Sequence, residues 1–342
     1  LLLDLPEKDV KDLQIRQYVE RLFRLFFWIG ILGGALTILC IIRMAKPMKR
    51  LLYIMDLVES GKKTIRYKKD AFGFEVNRLG YRFNQMMDAV IEEGKKKEEE
   101  RLAKEIYQRE LLLGHQIQES LLKSSIDPKK IDAATYYEAA KEVGGDFFDL
   151  YLLDDKTLYL SIADVSGKGV SACLYSLGLR SSLRSSISSG RLKESVEKAN
   201  HLFFVDAVET SMFASMWAGV YDLSKKSLNF INAGHLPAML RKETREIFFL
   251  DTKNPSIGIE HPCTFSKGST QLEKGDVLLL YSDGIVETRS KEGMFYGKNR
   301  LEKALQNAKG LLAEEILDEI LQDFADFNKG EKNEDDVTLV VL

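Results

Sequence analysis

Aspartates lie beside short apolar runs at several places in the second half of the chain. Most stand near a glycine or a second acid, and they are Asp146, Asp149, Asp164, Asp283, Asp335 and Asp336. A carboxylate at the end of an apolar strand loses its hydration unless a positive group meets it. One such aspartate is typical of a turn or a helix cap. A set of them indicates a shared site that binds positive charge.

The donor types favour a hard divalent cation. Carboxylate oxygens without clustered histidine or cysteine select Mg²⁺ or Mn²⁺ over zinc, and the four histidines and three cysteines are scattered along the chain. Two such ions would activate a water molecule and stabilise the in-line displacement of a phosphoryl group. The sequence therefore predicts a site for two Mn²⁺ or Mg²⁺ ions that performs phosphoryl chemistry.

Other residues with catalytic potential fit less well. Ser166 lies in Ser-Gly-Lys-Gly, which has neither the glycine pattern around a serine nucleophile nor the spacing of a phosphate-binding loop. Arg180 and Arg184 lie on a predicted helix and are assigned to its solvated face. His235 is assigned a packing or turn role, with substrate contact as the alternative.

Short strand-like runs alternate with helical stretches after residue 130. The predicted strands are Ala133–Tyr137, Leu158–Ala163, Phe213–Tyr221, Ser227–Asn232, Val277–Tyr281 and Val337–Leu342, and the predicted helices cover 171–188, 191–208 and 299–327. This alternation favours α/β layers with a largely antiparallel sheet. The fold class is therefore predicted to be α+β.

A charge-free apolar run from Leu25 to Ile42 predicts a transmembrane helix over residues 22–42, because about 20 apolar residues span a bilayer. Five Lys or Arg residues flank it within 5–24 and five within 43–62, so the positive-inside rule does not orient it. The net charge of −3 excludes a strongly basic nucleic-acid binder, and no nucleic-acid partner is expected. Because the chain begins with Leu1 rather than Met, residues 1–21 are expected to be the remnant of an extracytoplasmic segment.

Two heptad patterns follow the apolar run. Apolar residues recur at heptad spacing from Met48 to Val58, after a Pro47 that is typical of a helix start, and again from Val76 to Val90. With Glu75 before the second helix and Phe83-Asn84-Gln85-Met86 within it, the segment 43–93 resembles a HAMP domain, which implies a parallel homodimer. A charged run and a further apolar stripe predict a signalling linker helix over 94–122 that stops near Ser124–Pro128.

Several motifs occur in order along the rest of the chain: GGDFFD, ADVSGKG, INAGH, YSDGIVET and EDDVTLVV. Together they resemble the SpoIIE-type, or RsbU-like, branch of the metal-dependent type 2C protein phosphatases. The resemblance covers roughly residues 110–342. It implies an α-β-β-α sandwich for a phosphatase domain over 123–342, with two metal ions at one end of the paired sheets.

The resemblance also implies roles for individual residues. Those implied to be catalytic are Asp146, Asp164 and Asp283. The implied metal ligands are Asp146, Asp164, the Val165 carbonyl, Asp283 and Asp335, with Asp164 expected to bridge the ions. Residues ranked below them are Asp336, Asp149, Gly145 and His235. Of these, Asp149 is expected to support the site, and Gly145, like Gly167 and Gly284, to allow close backbone approach.

The implied function is that of a membrane-anchored protein serine/threonine phosphatase. Its implied substrate is a phosphorylated anti-anti-sigma factor with a STAS domain, in a partner-switching pathway. This implies a cytoplasmic catalytic domain, a single-pass anchor in the cell (inner) membrane and a homodimer through the HAMP and linker helices. The alternative is a non-catalytic pseudophosphatase that binds a partner and relays the state of the membrane. A metal phosphodiesterase is a weaker enzymatic alternative.

Overall fold

The computed structural model describes residues 7–71, 73–123, 126, 130–188 and 190–342, with side chains from Ile15 onwards. The chain divides into two compact units, Leu1–Ile106 and Tyr107–Leu342. Of the predicted extracytoplasmic remnant 1–21, residues 1–6 lie outside the described residues. Most of the predicted helix stop at Ser124–Pro128 also lies outside them, and the helix before it ends at Leu122.

Two long helices account for most of the first unit. Helix α1 covers Glu7–Glu59 and helix α2, which continues into the second unit, covers Phe74–Leu122. Among the described residues, α1 is the one helix long and apolar enough to cross a membrane, judged by length and composition. Its side chains over 22–42 are exposed. An apolar helix with no protein contacts along this stretch is what a bilayer would accommodate.

Helix α1 runs without a break through Pro47, so the prediction of a helix start at this residue is wrong. Proline lacks a backbone N–H and removes one hydrogen bond from the ladder, but its fixed φ angle remains helical. The predicted boundary between 93 and 94 is not a break either, because α2 is continuous. The helices are continuous across the boundaries 42/43 and 93/94, so the limits 22–42, 43–93 and 94–122 remain predictions.

The connector between α1 and α2 is fastened to the helices by polar and apolar contacts. Asn84 exchanges two hydrogen bonds of 2.8 Å with the backbone of Tyr67, and Asn77 does the same with Asp70. The Tyr67 ring packs into the space left by Gly80, where a Cβ would lie 2.1 Å from it. Leu51 and Tyr67 belong to one small cluster of buried apolar side chains, which adds to these contacts.

Two five-stranded antiparallel sheets form the second unit. Sheet A has the order β1-β10-β9-β6-β7 and sheet B the order β2-β3-β4-β5-β8. The strands are β1 (Ala134–Glu138), β2 (Phe147–Asp154), β3 (Thr157–Val165), β4 (Ala214–Asp222), β5 (Ser227–Ala233), β6 (Ala238–Arg241), β7 (Ile247–Leu250), β8 (Gly268–Gln271), β9 (Val277–Tyr281) and β10 (Val337–Val341).

The sheets pack face to face and helices cover both outer faces. Strand β9 illustrates the layering, because Leu278 and Leu280 face the core shared with sheet B, whereas Leu279 and Tyr281 face a second core beneath helices. The helices are α3 (Val170–Ser186) and α4 (Leu192–Ala207) on sheet B, and α6 (Lys298–Asn307) and α7 (Ala313–Asn328) on sheet A, with the short α5 (Asp283–Glu287) after β9. The predicted α-β-β-α sandwich is confirmed.

Three features of the second unit differ from the sequence prediction. The segment after Gly-Gly-Asp is a strand, β2, and the short strands β6, β7 and β8 have no counterpart among the predicted elements. The predicted helix 299–327 is two helices, because residues 308–312 are not helical. There the Glu319 carboxylate accepts hydrogen bonds from the backbone N–H groups of Lys309 and Gly310, which the helix ladder would otherwise use.

Candidate active site

The predicted aspartates come together because the strands beside them end on the same side of the sandwich. In sheet B, Phe147 pairs with Ala163, so Asp146 and Asp164 lie at the same end of β2 and β3. In sheet A, Asp283 follows β9 and Asp335 precedes its antiparallel neighbour β10. Strands β2 and β10 are in contact across the sandwich. Residues far apart in sequence therefore meet at one edge.

Burial and mutual repulsion dominate the electrostatics of this cluster. Burial, followed by the charges of Asp283, Asp335 and Asp336, raises the pKa of Asp164 to about 7. Burial, followed by the charge of Asp335, raises the pKa of Asp283 to about 6. Asp146 is 1% exposed, and burial and the charge of Asp164 raise its pKa well above the usual range. Carboxylates in this state favour a bound cation.

Asp336 organises the backbone that carries Asp146. Its Oδ1 accepts a hydrogen bond of 2.8 Å from the N–H of Ala140, and its Oδ2 accepts one of 2.7 Å from the N–H of Gly145. Thr338, on β10 of the facing sheet, donates a hydrogen bond to the Asp146 carboxylate. We conclude that Asp336 holds the Gly-Gly-Asp segment in place through its backbone.

Glycines next to the cluster are required by close packing. A Cβ on Gly145 would lie 2.7 Å from the Val165 carbonyl oxygen, and one on Gly284 would lie 2.0 Å from the Asp336 carbonyl oxygen. Gly144 has Asp336 Oδ2 at 2.2 Å from its Cβ position. No other residue fits at Gly145 or Gly284 without displacing backbone atoms, and none fits at Gly144 without displacing the Asp336 carboxylate. The Val165 carbonyl thus lies against the segment that carries Asp146.

Lys168 is a site residue that the sequence reasoning did not assign. Its ammonium lies 2.8 Å from Asp335 Oδ2 and donates a hydrogen bond of 2.7 Å to the Glu334 carbonyl. Its charge also partly offsets the rise in the pKa of Asp283 that burial and Asp335 cause. The signal in the sequence was a lysine in the glycine-rich turn that follows Asp164, but its partner lies at the other end of the domain.

Asp149 is occupied by arginines rather than directed at the cluster. Arg184 binds it with two hydrogen bonds of 2.6 Å, and Arg180 adds a third of 3.2 Å. Arg180 is 6% exposed and also donates to the Leu121 carbonyl at 2.6 Å. The assignment to a solvated face is therefore wrong for Arg180, which is buried and binds both Asp149 and the end of α2, whereas Arg184 is exposed and neutralises the buried Asp149 carboxylate.

His235 lies in the interior with both ring nitrogens hydrogen-bonded. Its Nε2 lies 3.2 Å from the Tyr281 carbonyl, which can only accept, so Nε2 carries the proton and Nδ1 accepts from the Ser215 hydroxyl at 2.7 Å. Burial lowers the pKa of His235 to about 4. Asn232 binds its backbone N–H and carbonyl. These contacts favour the packing role over substrate contact.

The donor chemistry of the cluster fits divalent metal ions. Within the described parts of the chain, no three acidic, histidine or cysteine side chains are arranged as ready-made ligands around one point. The cluster nevertheless gathers Asp146, Asp164, Asp283 and Asp335 with one balancing ion pair, that of Lys168. Asp146 is buried and the other three are partly buried, and with a single lysine paired to the group the cluster keeps an excess of the hard oxygen ligands that Mg²⁺ and Mn²⁺ prefer.

Comparison with known proteins assigns the fold and the family. The SiaA-PP2C domain of Pseudomonas aeruginosa superimposes with a TM-score of 0.61 at 16% sequence identity, over 70% of this chain and 98% of that domain. This likeness shows that the second unit has the fold of PP2C phosphatases. Residues 154–342, more than half of the chain, match the family described as Stage II sporulation protein E (SpoIIE), and the chain belongs to this family. Asp146 lies outside the matched range.

Two curated relatives extend the similarity. Protein IcfG of Synechocystis sp. is 29% identical over 303 residues, which are 80% of this chain and 46% of IcfG. Phosphoserine phosphatase RsbU of Bacillus subtilis is 28% identical over 241 residues, which are 68% of this chain and 69% of RsbU. The chain thus spans about half the length of IcfG and slightly more than two thirds of RsbU.

Proposed function

We propose that this chain is a metal-dependent protein serine/threonine phosphatase. The observation that carries the proposal is the meeting of Asp146, Asp164, Asp283 and Asp335 at one edge of a PP2C sandwich, where burial and repulsion raise the pKa of three of them. Membership of the SpoIIE family and similarity to the phosphoserine phosphatase RsbU support it.

Individual residues would bind the metal ions or position the groups that do. Asp146, Asp164, Asp283 and Asp335, with the Val165 carbonyl, would hold two Mn²⁺ or Mg²⁺ ions. When bound, these ions would supply Lewis-acid activation of water and neutralise charge on the phosphoryl group. The side chain of Asp336 positions the backbone of Asp146. Lys168 holds Asp335 in place.

We further propose a phosphorylated STAS-domain anti-anti-sigma protein as the substrate, in a partner-switching pathway. The name of the relative RsbU indicates a phosphoserine substrate for that protein. The buried acidic edge would bind phosphate only through metal ions, because free carboxylates repel it.

Membrane anchoring and dimerisation complete the proposal. Helix α1 would cross the cell membrane once at 22–42, with the phosphatase domain in the cytoplasm. On the helices around the connector, heptad residues such as Met55, Leu79 and Met86 are exposed in the single chain. Exposed apolar residues at heptad spacing favour a homodimer through the HAMP-like segment and the linker helix.

Phosphate release from a phosphorylated STAS protein tests the proposed activity. The full chain should release phosphate with Mn²⁺, lose this activity in EDTA and regain it when Mn²⁺ is restored. Asp164→Asn should abolish turnover, whereas Asp155→Asn, at the exposed turn between β2 and β3, should not. Turnover after exhaustive chelation, or a normal rate for Asp164→Asn, would contradict the two-metal site.

The same assay separates the alternatives. A pseudophosphatase would bind the phosphorylated STAS protein and release no phosphate under any metal condition. A phosphodiesterase would instead hydrolyse a cyclic dinucleotide. The gathered carboxylates favour catalysis, since a binding module has no need to keep buried acids that repel each other.

A further inference from the structure

A cleft opens at the end of sheet A opposite the aspartates. It is lined by Arg241 at the end of β6, Val277 at the start of β9 and Val341 at the end of β10. The other ends of β9 and β10 adjoin Asp283 and Asp336. The cleft has a volume of about 840 Å³, in the range of small-molecule sites. It is therefore separate from the candidate active site.

Arg241 is buried in the wall of this cleft with half of its guanidinium unused. It is 5% exposed, and its Nη1 donates to the carbonyls of Leu305 at 2.9 Å and Ala308 at 3.0 Å. Its Nε is buried without a partner, and no acceptor among the described residues meets its Nη2. Burial and the nearby Arg245 lower its pKa. The charge of Glu319 opposes this shift, but the described residues leave the Nε and Nη2 N–H groups without an acceptor, which is unfavourable in the interior.

The cleft carries an excess of positive charge. Arg245, Lys274 and Lys309 also line it, and within the described structure none of them forms an ion pair. Two of the three acids that line the cleft already bind other groups of the protein. Asp276 binds Lys242 at 2.6 Å and Asp132 accepts a hydrogen bond from the N–H of Ala313 at 3.1 Å, and of the lining acids this leaves Glu243.

The Nε–Nη2 edge of an arginine carries parallel N–H donors that match two oxygens of one oxyanion, and because the Arg241 Nε is buried, both donors engage a ligand only if the guanidinium turns towards the cleft. Several surrounding cations favour an anion of more than one charge, and Val277, Ile316 and Val341 offer an apolar wall beside them. We propose that this cleft binds a small phosphate-bearing molecule, held side-on by Arg241 and by the cations at the rim.

Titration of the full chain with inorganic pyrophosphate in EDTA tests this site. Without metal ions the acidic edge repels anions, so binding measured by calorimetry reports on the cleft. Arg245→Gln combined with Lys274→Gln changes two exposed rim residues and should weaken binding at least tenfold. Lys267→Gln, an exposed lysine outside the cleft, is the matched control and should bind as the parent chain does.

Arg241→Lys keeps the charge and removes the bidentate edge, and it should also weaken binding at least tenfold. If this buried variant fails to fold, the rim double variant decides the question. The proposal is overturned if pyrophosphate does not bind at millimolar concentration, or if the rim variant binds as tightly as Lys267→Gln. Citrate binding as tightly as pyrophosphate would also overturn it, because the cleft would then select carboxylates.

Discussion

The contact between helix α2 and the segment that carries Asp146 predicts a large effect for Gln118. Its side chain is 1% exposed and its amide bonds both backbone groups of Gly144, accepting from the N–H at 3.1 Å and donating to the carbonyl at 3.0 Å. Gly144 lies two residues before Asp146. We predict that Gln118→Ala lowers phosphatase activity without unfolding the domain.

The magnitude follows from the groups left behind. Gln118→Ala leaves a buried N–H and a buried carbonyl without partners, and each unsatisfied group costs about 1–3 kcal/mol. Part of this strain is relieved if the Gly-Gly-Asp segment shifts or water enters. A remaining penalty of about 2 kcal/mol on the active arrangement corresponds to a loss of roughly 30-fold in rate.

The assay is kcat/KM on a phosphorylated STAS protein at saturating Mn²⁺, together with the Mn²⁺ concentration required for half-maximal rate. Gln116→Ala is the matched control, because Gln116 lies two residues away on the same helix and is exposed. Gln118→Glu keeps the acceptor but loses the donor, so it should fall at least as far as Gln118→Ala. Equal kcat/KM for Gln118→Ala and Gln116→Ala would refute the reasoning.

Further predictions concern stability and coupling. Burial lowers the pKa of His235 from 6.5 to about 4, so below pH 6.5 the unfolded chain binds a proton that the folded chain refuses. The contribution of His235 to stability should fall by about 3 kcal/mol between pH 6.5 and 4, and chemical denaturation should show it as the pH-dependent difference between the parent chain and His235→Gln, because the raised pKa values of Asp164 and Asp283 act in the opposite direction in both proteins. Asp149→Asn leaves Arg180 buried without its carboxylate and should destabilise the domain by about 3–5 kcal/mol, whereas Asp155→Asn should change denaturation little. Leu113→Ala with Ile117→Ala removes apolar side chains that are 57% and 50% exposed in the single chain. This pair should change the phosphatase rate but not Mn²⁺ affinity, and a rate that stays flat while a fused coiled coil is lengthened residue by residue through a heptad would show α2 to be a passive spacer.

Local patterns predicted the elements that carry the site. Strand β9 matches its prediction because Val277–Tyr281 is apolar throughout, as a strand buried on both faces must be. Asp164, Asp283 and Asp335 could be singled out because each stands beside a predicted strand, whereas Asp146 was indicated by the Gly-Gly-Asp motif. The layered fold followed from the order of strands and helices. The short strands β6, β7 and β8 were not predicted, because four residues carry too little periodicity to distinguish a strand from a turn.

The ion pairs could not be predicted, because their partners are distant in sequence. Lys168 meets Glu334 and Asp335 near the end of the chain. Arg184 on α3 binds Asp149 on β2, 35 residues earlier in the sequence. Charged residues on a helix are usually solvated, and the topology of the sheets decides which of them are buried. Only the folded arrangement shows that Arg180 binds a helix end and a carboxylate together.

The segment carrying Asp146 is held from two directions. Asp336 binds it from sheet A through the N–H of Gly145, and Gln118 binds it from α2 through Gly144. Arg180 adds a second polar contact to α2 at Leu121. A shift of the last turn of α2 must therefore break these buried contacts or move the Gly-Gly-Asp segment with it. Breaking one of these contacts leaves a buried polar group unsatisfied at a cost of about 1–3 kcal/mol, the size of a typical coupling energy between sites. The contacts at the end of α2 are therefore of the size at which we expect a change in helix geometry to alter the position of the Gly-Gly-Asp segment.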